Sequence, residues 1–346
     1  MIVTLPTLGA IRDHFPNAFI EVMGYPAHLE LIKERYYADV VSRFDQLDIA
    51  HLFVKDAEIP RSFRERLCQM ELIISFISDR DRIFSHNLNA SNARCIHYDP
   101  FPQDDKGIHI VDHFLNSLSS LGINYTNNIP KIFLNDEDNR FGEDFIKDNI
   151  VGSKKILVAI HPGSGSRQKC WPVTRFVALI NWLSRELQAH ILVVSGPADQ
   201  GITERLKAGG NKDIVLADQL PLPKLAAVLK RCNLFIGNDS GVTHLAAALG
   251  VHTIAIFGPT DPRIWGPRGD LVKIIYKEVP CSPCRADTRR GCSVQRCLEY
   301  IKIEDVMHEV RCSIFQPKSC NKASPRLQDL GRNLSASVTE LKKHVK

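Results

Sequence analysis

Between residues 155 and 258, short aliphatic runs alternate with stretches of helical periodicity. The runs at 155–161, 190–196, 213–217, 233–237 and 251–258 are nearly continuous Val, Ile and Leu, as strands are when helices cover both faces of a sheet. The stretches at 174–188, 199–208, 222–231 and 241–249 fit the intervening helices. Strands and helices in strict alternation dictate an α/β fold on a parallel sheet.

The first half repeats this pattern less regularly. Strands are expected at 18–23 and 71–77, and helices at 8–14, 61–70 and 108–121. The polar stretch 124–139, with Pro130 and an acidic patch, reads as a connection. At 346 residues the chain is long for one core. The expected division is 1–145 and 146–320, followed by a polar, basic segment 321–346 that is either a docked helix or a tail.

Lys and Arg number 44 against 39 Asp and Glu, a net charge of +5. That balance suits an anionic ligand or membrane surface and is too small to argue nucleic-acid binding. No apolar run approaches the roughly 18 residues that would span a bilayer. The opening Met1-Ile2-Val3-Thr4 lacks the basic region of a secretory signal. The expectation is a cytoplasmic protein, with peripheral contact at the inner membrane as its closest approach to lipid.

Four sequences at the carboxyl ends of expected strands carry the chemistry. The first, Gly237-Asn238-Asp239-Ser240-Gly241-Val242-Thr243-His244, opens a helix. Free N–H groups and the helix dipole there favour an anion; Ser240 or Asp239 can cap, and Gly241 allows close approach of a ligand. His244 falls in the first turn. Alone, Asp-Ser-Gly is more often an ordinary cap. The second, His161-Pro162-Gly163-Ser164-Gly165-Ser166-Arg167-Gln168-Lys169, combines exposed backbone, the hydroxyls of Ser164 and Ser166, and the charge of Lys169, which suits phosphate. It lacks the Gly-Lys-Ser/Thr ending of a Walker A loop, and a flexible loop explains it equally well. In the third, Ser195-Gly196-Pro197-Ala198-Asp199, the carboxylate could meet ribose hydroxyls or cap a helix. The fourth, Phe257 to Pro267, is a rigid turn in which Arg263 and Trp265 serve packing or a sugar. Together they describe a nucleotide-diphosphate site better than any one does.

The strings HPGSGSRQKCWP, SGPAD, GNDSGVTHLAAALG and FGPTDPRIWGP resemble the donor half of glycosyltransferase family 9, the ADP-heptose:lipopolysaccharide heptosyltransferases. The opening IVTLPTLGAIRDHFPNAFIEVMG is similar to that family's first helix and second strand. The resemblance implies a GT-B fold, two Rossmann-like domains facing a cleft, and inverting transfer that needs no cofactor. The implied donor is an ADP-heptose-type nucleotide sugar and the implied acceptor a lipopolysaccharide core or similar glycolipid. Asp239, Ser240, Gly241 and His244 would hold diphosphate and sugar, Ser164, Ser166 and Lys169 the phosphates, and Asp199 the ribose.

The family's expected general base is the Asp of a Gly-Asp pair ahead of the first helix. Here that position falls just upstream of Met1, so the first domain is expected to lack its first strand, and no catalytic residue is assigned. Asp13 lies at the far end of the helix. Loss of such a base costs about 10²- to 10⁴-fold in rate. Two further readings therefore stand beside the transferase: a nucleotide-sugar-binding relative with weak or no transfer, and a GT-B epimerase or hydrolase. His97, His109 and His113 of the first half have no spacing that marks a set.

Of ten cysteines, Cys281, Cys284, Cys292 and Cys297 cluster. The opening C-x₂-C has zinc-knuckle spacing. A structural zinc and a set of reduced packing thiols are the two readings, neither of them catalytic.

Overall fold

The computed structural model describes residues 1–315 apart from 46, 90–92, 103–106, 151, 153–155 and 209–213. The expected tail 321–346 lies outside the described residues. The second half is one parallel sheet of β5 (Leu157–His161), β6 (His190–Ser195), β7 (Ile214–Asp218), β8 (Leu234–Asn238), β9 (His252–Phe257) and β10 (Val272–Tyr276), ordered β10-β9-β8-β5-β6-β7. The chain winds outward from β5 to β7, then returns to β8 beside β5 and winds the other way. The crevice at such a reversal, outside the strands' carboxyl ends, is where open α/β sheets bind ligands.

Strands β5, β6 and β8 are buried along their whole length. Their side chains alternate between two cores, as the pleat requires. Val158, Ile160, Ile191 and Val193 pack with Phe176, Leu179 and Leu183 of helix Val173–Glu186 and with Val306 and Val310 of helix Ile303–Phe315. Leu157, Ala159, Leu192 and Val194 face Leu225 and Leu229 of helix Leu222–Leu229 and Leu245 of helix Gly241–Ala248. Leu5, Leu29 and Ile32 of the first half enter this second core. The two halves are therefore joined by buried apolar contact as well as by the chain.

The first half holds β1 (Glu21–Gly24), β2 (Val40–Arg43), β3 (Leu72–Ser75) and β4 (Arg94–His97). These pair as two separate parallel sheets, β1-β2 and β3-β4. Among the described residues no strand joins them. Their residues are mostly half-exposed, unlike β5 and β8.

The stretch 124–139 is only partly a connection. Helix Asp136–Asn149 begins inside it, and the acidic patch is its first turn. Asn135 Oδ1 accepts the Asp138 N–H at 2.8 Å, and Asp138 Oδ2 accepts the Asn135 N–H at 3.1 Å, a capping box. Carboxylates there also complement the helix dipole. The helix runs through residues 145 and 146 and packs on helix Leu222–Leu229. Gly142 makes that approach close, since a Cβ there would stand 2.6 Å from the Ala227 carbonyl oxygen.

Candidate functional site

At the sheet's reversal, His161 of β5 lies in register with Gly237 of β8. The two following loops are tied together. Asn238 is fully buried; its Oδ1 accepts the Trp171 N–H at 3.0 Å, and its Nδ2 donates to Pro162 O at 2.8 Å. The Ser164 hydroxyl donates to Asp239 O at 2.7 Å. Ser166 donates to the Gln168 side chain at 2.6 Å, within its own loop. Both hydroxyls that the sequence placed against phosphate therefore brace the loops in this structure.

Lys169 Nζ reaches Asp239 Oδ2 at 2.7 Å, and the Thr260 hydroxyl donates to the same oxygen at 2.6 Å. Asp239 is 6% exposed. An ammonium has three donors, so the ion pair leaves Lys169 able to bond further acceptors. Beside it, Ser240 caps helix Gly241–Ala248, its Oγ accepting the Thr243 N–H at 3.3 Å. Gly241 faces open space. The His244 ring is bonded to the Trp265 carbonyl; burial lowers its pKa, against the opposing pull of Asp239. The ring is neutral at pH 7. Residues 2–4 lie near this helix, and the Met1 amino group is close enough to lower the His244 pKa further.

Asp199 is not at the crevice surface. Its carboxylate is buried, accepts the Gly196 N–H at 2.9 Å and stands 3.4 Å from His161 Nε2. In the fourth sequence, Arg263 is engaged by Asp261 at 2.7 Å, and Trp265 offers its carbonyl to His244.

The first half reaches the site through His109. Its Nδ1 accepts the Val111 N–H at 3.2 Å, capping helix Ile110–Asn116. That bond leaves the proton on Nε2, which donates to Gly266 O at 2.8 Å. Arg268 pairs with Asp112 through both guanidinium nitrogens. Burial, helped by Arg268, pushes His109 down to about 4, against the Gly266 bond and Asp112. Because the ring must stay neutral to cap the helix, the clasp's contribution to stability is complete above the ordinary pKa of about 6.5. It is lost as the pH falls from there to about 4. The melting temperature is expected to drop across this range in the native protein and to drop less in His109→Asn. Equal drops in both would contradict the assignment. The sequence named His109 but had no way to pair it with residue 266.

The four clustered cysteines are neighbours in space: beside burial, Cys281 and Cys292 help raise the pKa of Cys284, and Cys284, Cys281 and Cys292 help raise that of Cys297. Cys284 Sγ donates to Cys281 O at 2.9 Å, Cys292 Sγ donates to Val294 O at 3.3 Å, and Cys297 is buried, its thiol pushed up to about 11 by that burial. Among the described residues no three His, Cys, Asp or Glu side chains are grouped to hold a metal ion.

The model of "Glycosyltransferase family 9 (heptosyltransferase)" matches residues 92–294. Lipooligosaccharide heptosyltransferase 2 of Campylobacter jejuni is 24% identical over 326 residues, covering 90% of this chain and 93% of that one. The fold is similar to the glycosyl transferase family 9 structure from Veillonella parvula, with a TM-score of 0.73, 21% identity, and 91% and 94% of the two chains covered. It is also similar to the Escherichia coli ADP-heptose LPS heptosyltransferase II, with a TM-score of 0.70, 15% identity, and 91% and 95% covered.

Proposed function

Since the chain belongs to glycosyltransferase family 9 (heptosyltransferase), we propose that it moves a heptose from an ADP-sugar to the inner core of lipopolysaccharide, with inversion at the anomeric carbon. The observation that carries this reading is the Lys169–Asp239 pair, 2.7 Å apart, beside the uncapped N–H groups of helix Gly241–Ala248 at the sheet's reversal. As the sugar–phosphate bond loosens, negative charge gathers on the departing diphosphate. A helix terminus and an ammonium already in place stabilise that charge without reorganising. In this reading Gly241 lets the diphosphate approach the backbone, and Ser240 and His244 line its path. Ser164 and Ser166 hold the loop that presents Lys169. Asp239 orients Lys169 and can accept from a sugar hydroxyl. Asp199 supports the loops from beneath.

The acceptor would enter from the first half, held against the donor side by His109 and the Asp112–Arg268 pair. Among the described residues no helix is long and apolar enough to cross a membrane, so contact with a glycolipid acceptor would be made from the membrane surface. Structural zinc at Cys281, Cys284, Cys292 and Cys297 would require Cys284 and Cys292 to turn from their carbonyl partners, and no step depends on it.

Calorimetric titration with ADP-heptose, GDP-mannose and UDP-glucose tests the donor. The expected result is saturable binding of ADP-heptose, weaker binding of the others, and competition by ADP. Binding of none of them would overturn the site.

A further inference from the structure

We propose that His161 is a positioning residue for the donor diphosphate, its ring deciding whether the Ser240 hydroxyl proton points into the fold or out into the crevice. The inference rests on the donor-site reading above. His161 ends β5 and is 6% exposed. It touches two other loops at once. Its Nδ1 is 3.1 Å from Ser240 Oγ, and its Nε2 is 3.4 Å from Asp199 Oδ2.

The carboxylate fixes the ring's proton. Asp199 is lowered despite its burial, by hydrogen bonds from His161 and the Gly196 N–H, so it is ionised and only accepts. It lies directly against Gly163, where a Cβ would stand 2.5 Å from its Cγ. Nε2 therefore carries a hydrogen. In the neutral ring, Nδ1 is then bare, and the Ser240 hydroxyl is the donor that fills it. In the protonated ring, Nδ1–H donates to Ser240 Oγ instead, and the hydroxyl proton must point elsewhere.

Where it can point is limited. Thr243 Oγ1 lies 3.0 Å away, and its own proton goes to Asn238 O. The other direction is the crevice, beside the free N–H groups of Gly241 and Val242. Protonation of His161 thus frees the Ser240 O–H to turn to Thr243 Oγ1 or, when an anion sits at the helix terminus, to that anion, and places a positive charge behind it. The proton comes from solvent, and Asp199 balances the charge.

The neighbouring groups do not cancel this. Lys169 and Asp239 pair with each other. The Cys170 thiol is pushed up by burial and by Asp199, so it is neutral. His244, its pKa lowered by burial, is neutral too. Asp199 is left as the charge that His161 answers. Binding of a nucleoside diphosphate should accordingly draw one proton onto this ring.

The test is ADP affinity by calorimetry from about pH 6 to about pH 9, in the native protein, His161→Gln and Asp199→Asn, using buffers of different ionisation enthalpy. The ADP phosphate titrates in all three, so the differences between proteins are the readout. Toward high pH, native affinity should fall more steeply than that of His161→Gln, by up to about tenfold per pH unit. The native protein should also take up more protons. Asp199→Asn, which is isosteric, should lessen both the native pH dependence and the native proton uptake; it serves even if His161→Gln fails to fold. Identical pH profiles and proton uptake in the native protein and Asp199→Asn would overturn this inference alone. Absence of ADP binding at every pH would overturn the donor-site reading, and this inference with it.

Discussion

Lys169→Ala should weaken ADP binding by about 10- to 150-fold, the loss of one charge-assisted hydrogen bond of about 1.5–3 kcal/mol. The same change removes the partner of Asp239, whose side chain is 7% exposed. A buried carboxylate left without its cation is costly, but the Lys169 side chain is 23% exposed, so the pair is partly solvated. The stability loss should therefore be modest, on the order of 1 kcal/mol. The two effects can be separated. Lys169→Met with Asp239→Asn removes both charges and leaves Thr260 a polar partner. This double variant should regain the stability but not the binding. Calorimetry and thermal melting measure the two quantities. Full ADP affinity in Lys169→Ala would mean the lysine does not meet the phosphates.

The second large effect is expected at Gly163. A Cβ there would meet Asp199 at 2.5 Å from Cγ and 2.8 Å from Oδ2. The carboxylate cannot yield without leaving the Gly196 N–H and His161. Gly163→Ala should cost about 1–3 kcal/mol, the usual penalty for overpacking a filled interior. Donor binding should fall with it, because His161 and the loop carrying Lys169 both shift. Two variants show whether the clash is the cause. Gly165 lies in the same loop with open space around its Cβ direction; Gly165→Ala should leave stability and binding near native. Asp199→Ala already loses the Gly196 and His161 contacts, so adding Gly163→Ala to it should cost little further stability, whereas Gly163→Ala alone costs the full amount. A native melting temperature in Gly163→Ala would contradict the packing described here.

The second half was legible because burial on both faces writes its own pattern. The expected 190–196 and 251–258 correspond to β6 (His190–Ser195) and β9 (His252–Phe257) within a residue or so. Strand β10 was missed because it is an edge strand, half-exposed and interrupted by Lys273. In the first half β2 and β4, with the sequences Val-Val-Ser-Arg and Arg-Cys-Ile-His, are short and half-exposed, so neither a continuous aliphatic run nor a clean alternation marks them. The polar stretch at 124–139 concealed a helix start because acidic residues serve a first turn as readily as a loop; Asn135 and Asp138, three apart, were the usable signal.

The loops that form the site were visible as strings, yet their internal wiring was not. His161, Asp199 and Ser240 are adjacent only once β5, β6 and β8 lie side by side. No spacing in the chain encodes that neighbourhood. The same holds for Asn238 and Thr260, which are unremarkable as residue types and matter through what they brace.

Sugar transfer from a nucleotide donor held at the reversal between β5 and β8 can be followed directly. The most direct measurement incubates the protein with ADP-heptose and lipopolysaccharide lacking inner-core heptose, following acceptor mass and ADP release together. The predicted result is an acceptor heavier by one heptose for each ADP released, abolished or strongly slowed in Lys169→Ala. Release of ADP and free heptose with no change in acceptor mass, or neither product at all, would contradict it.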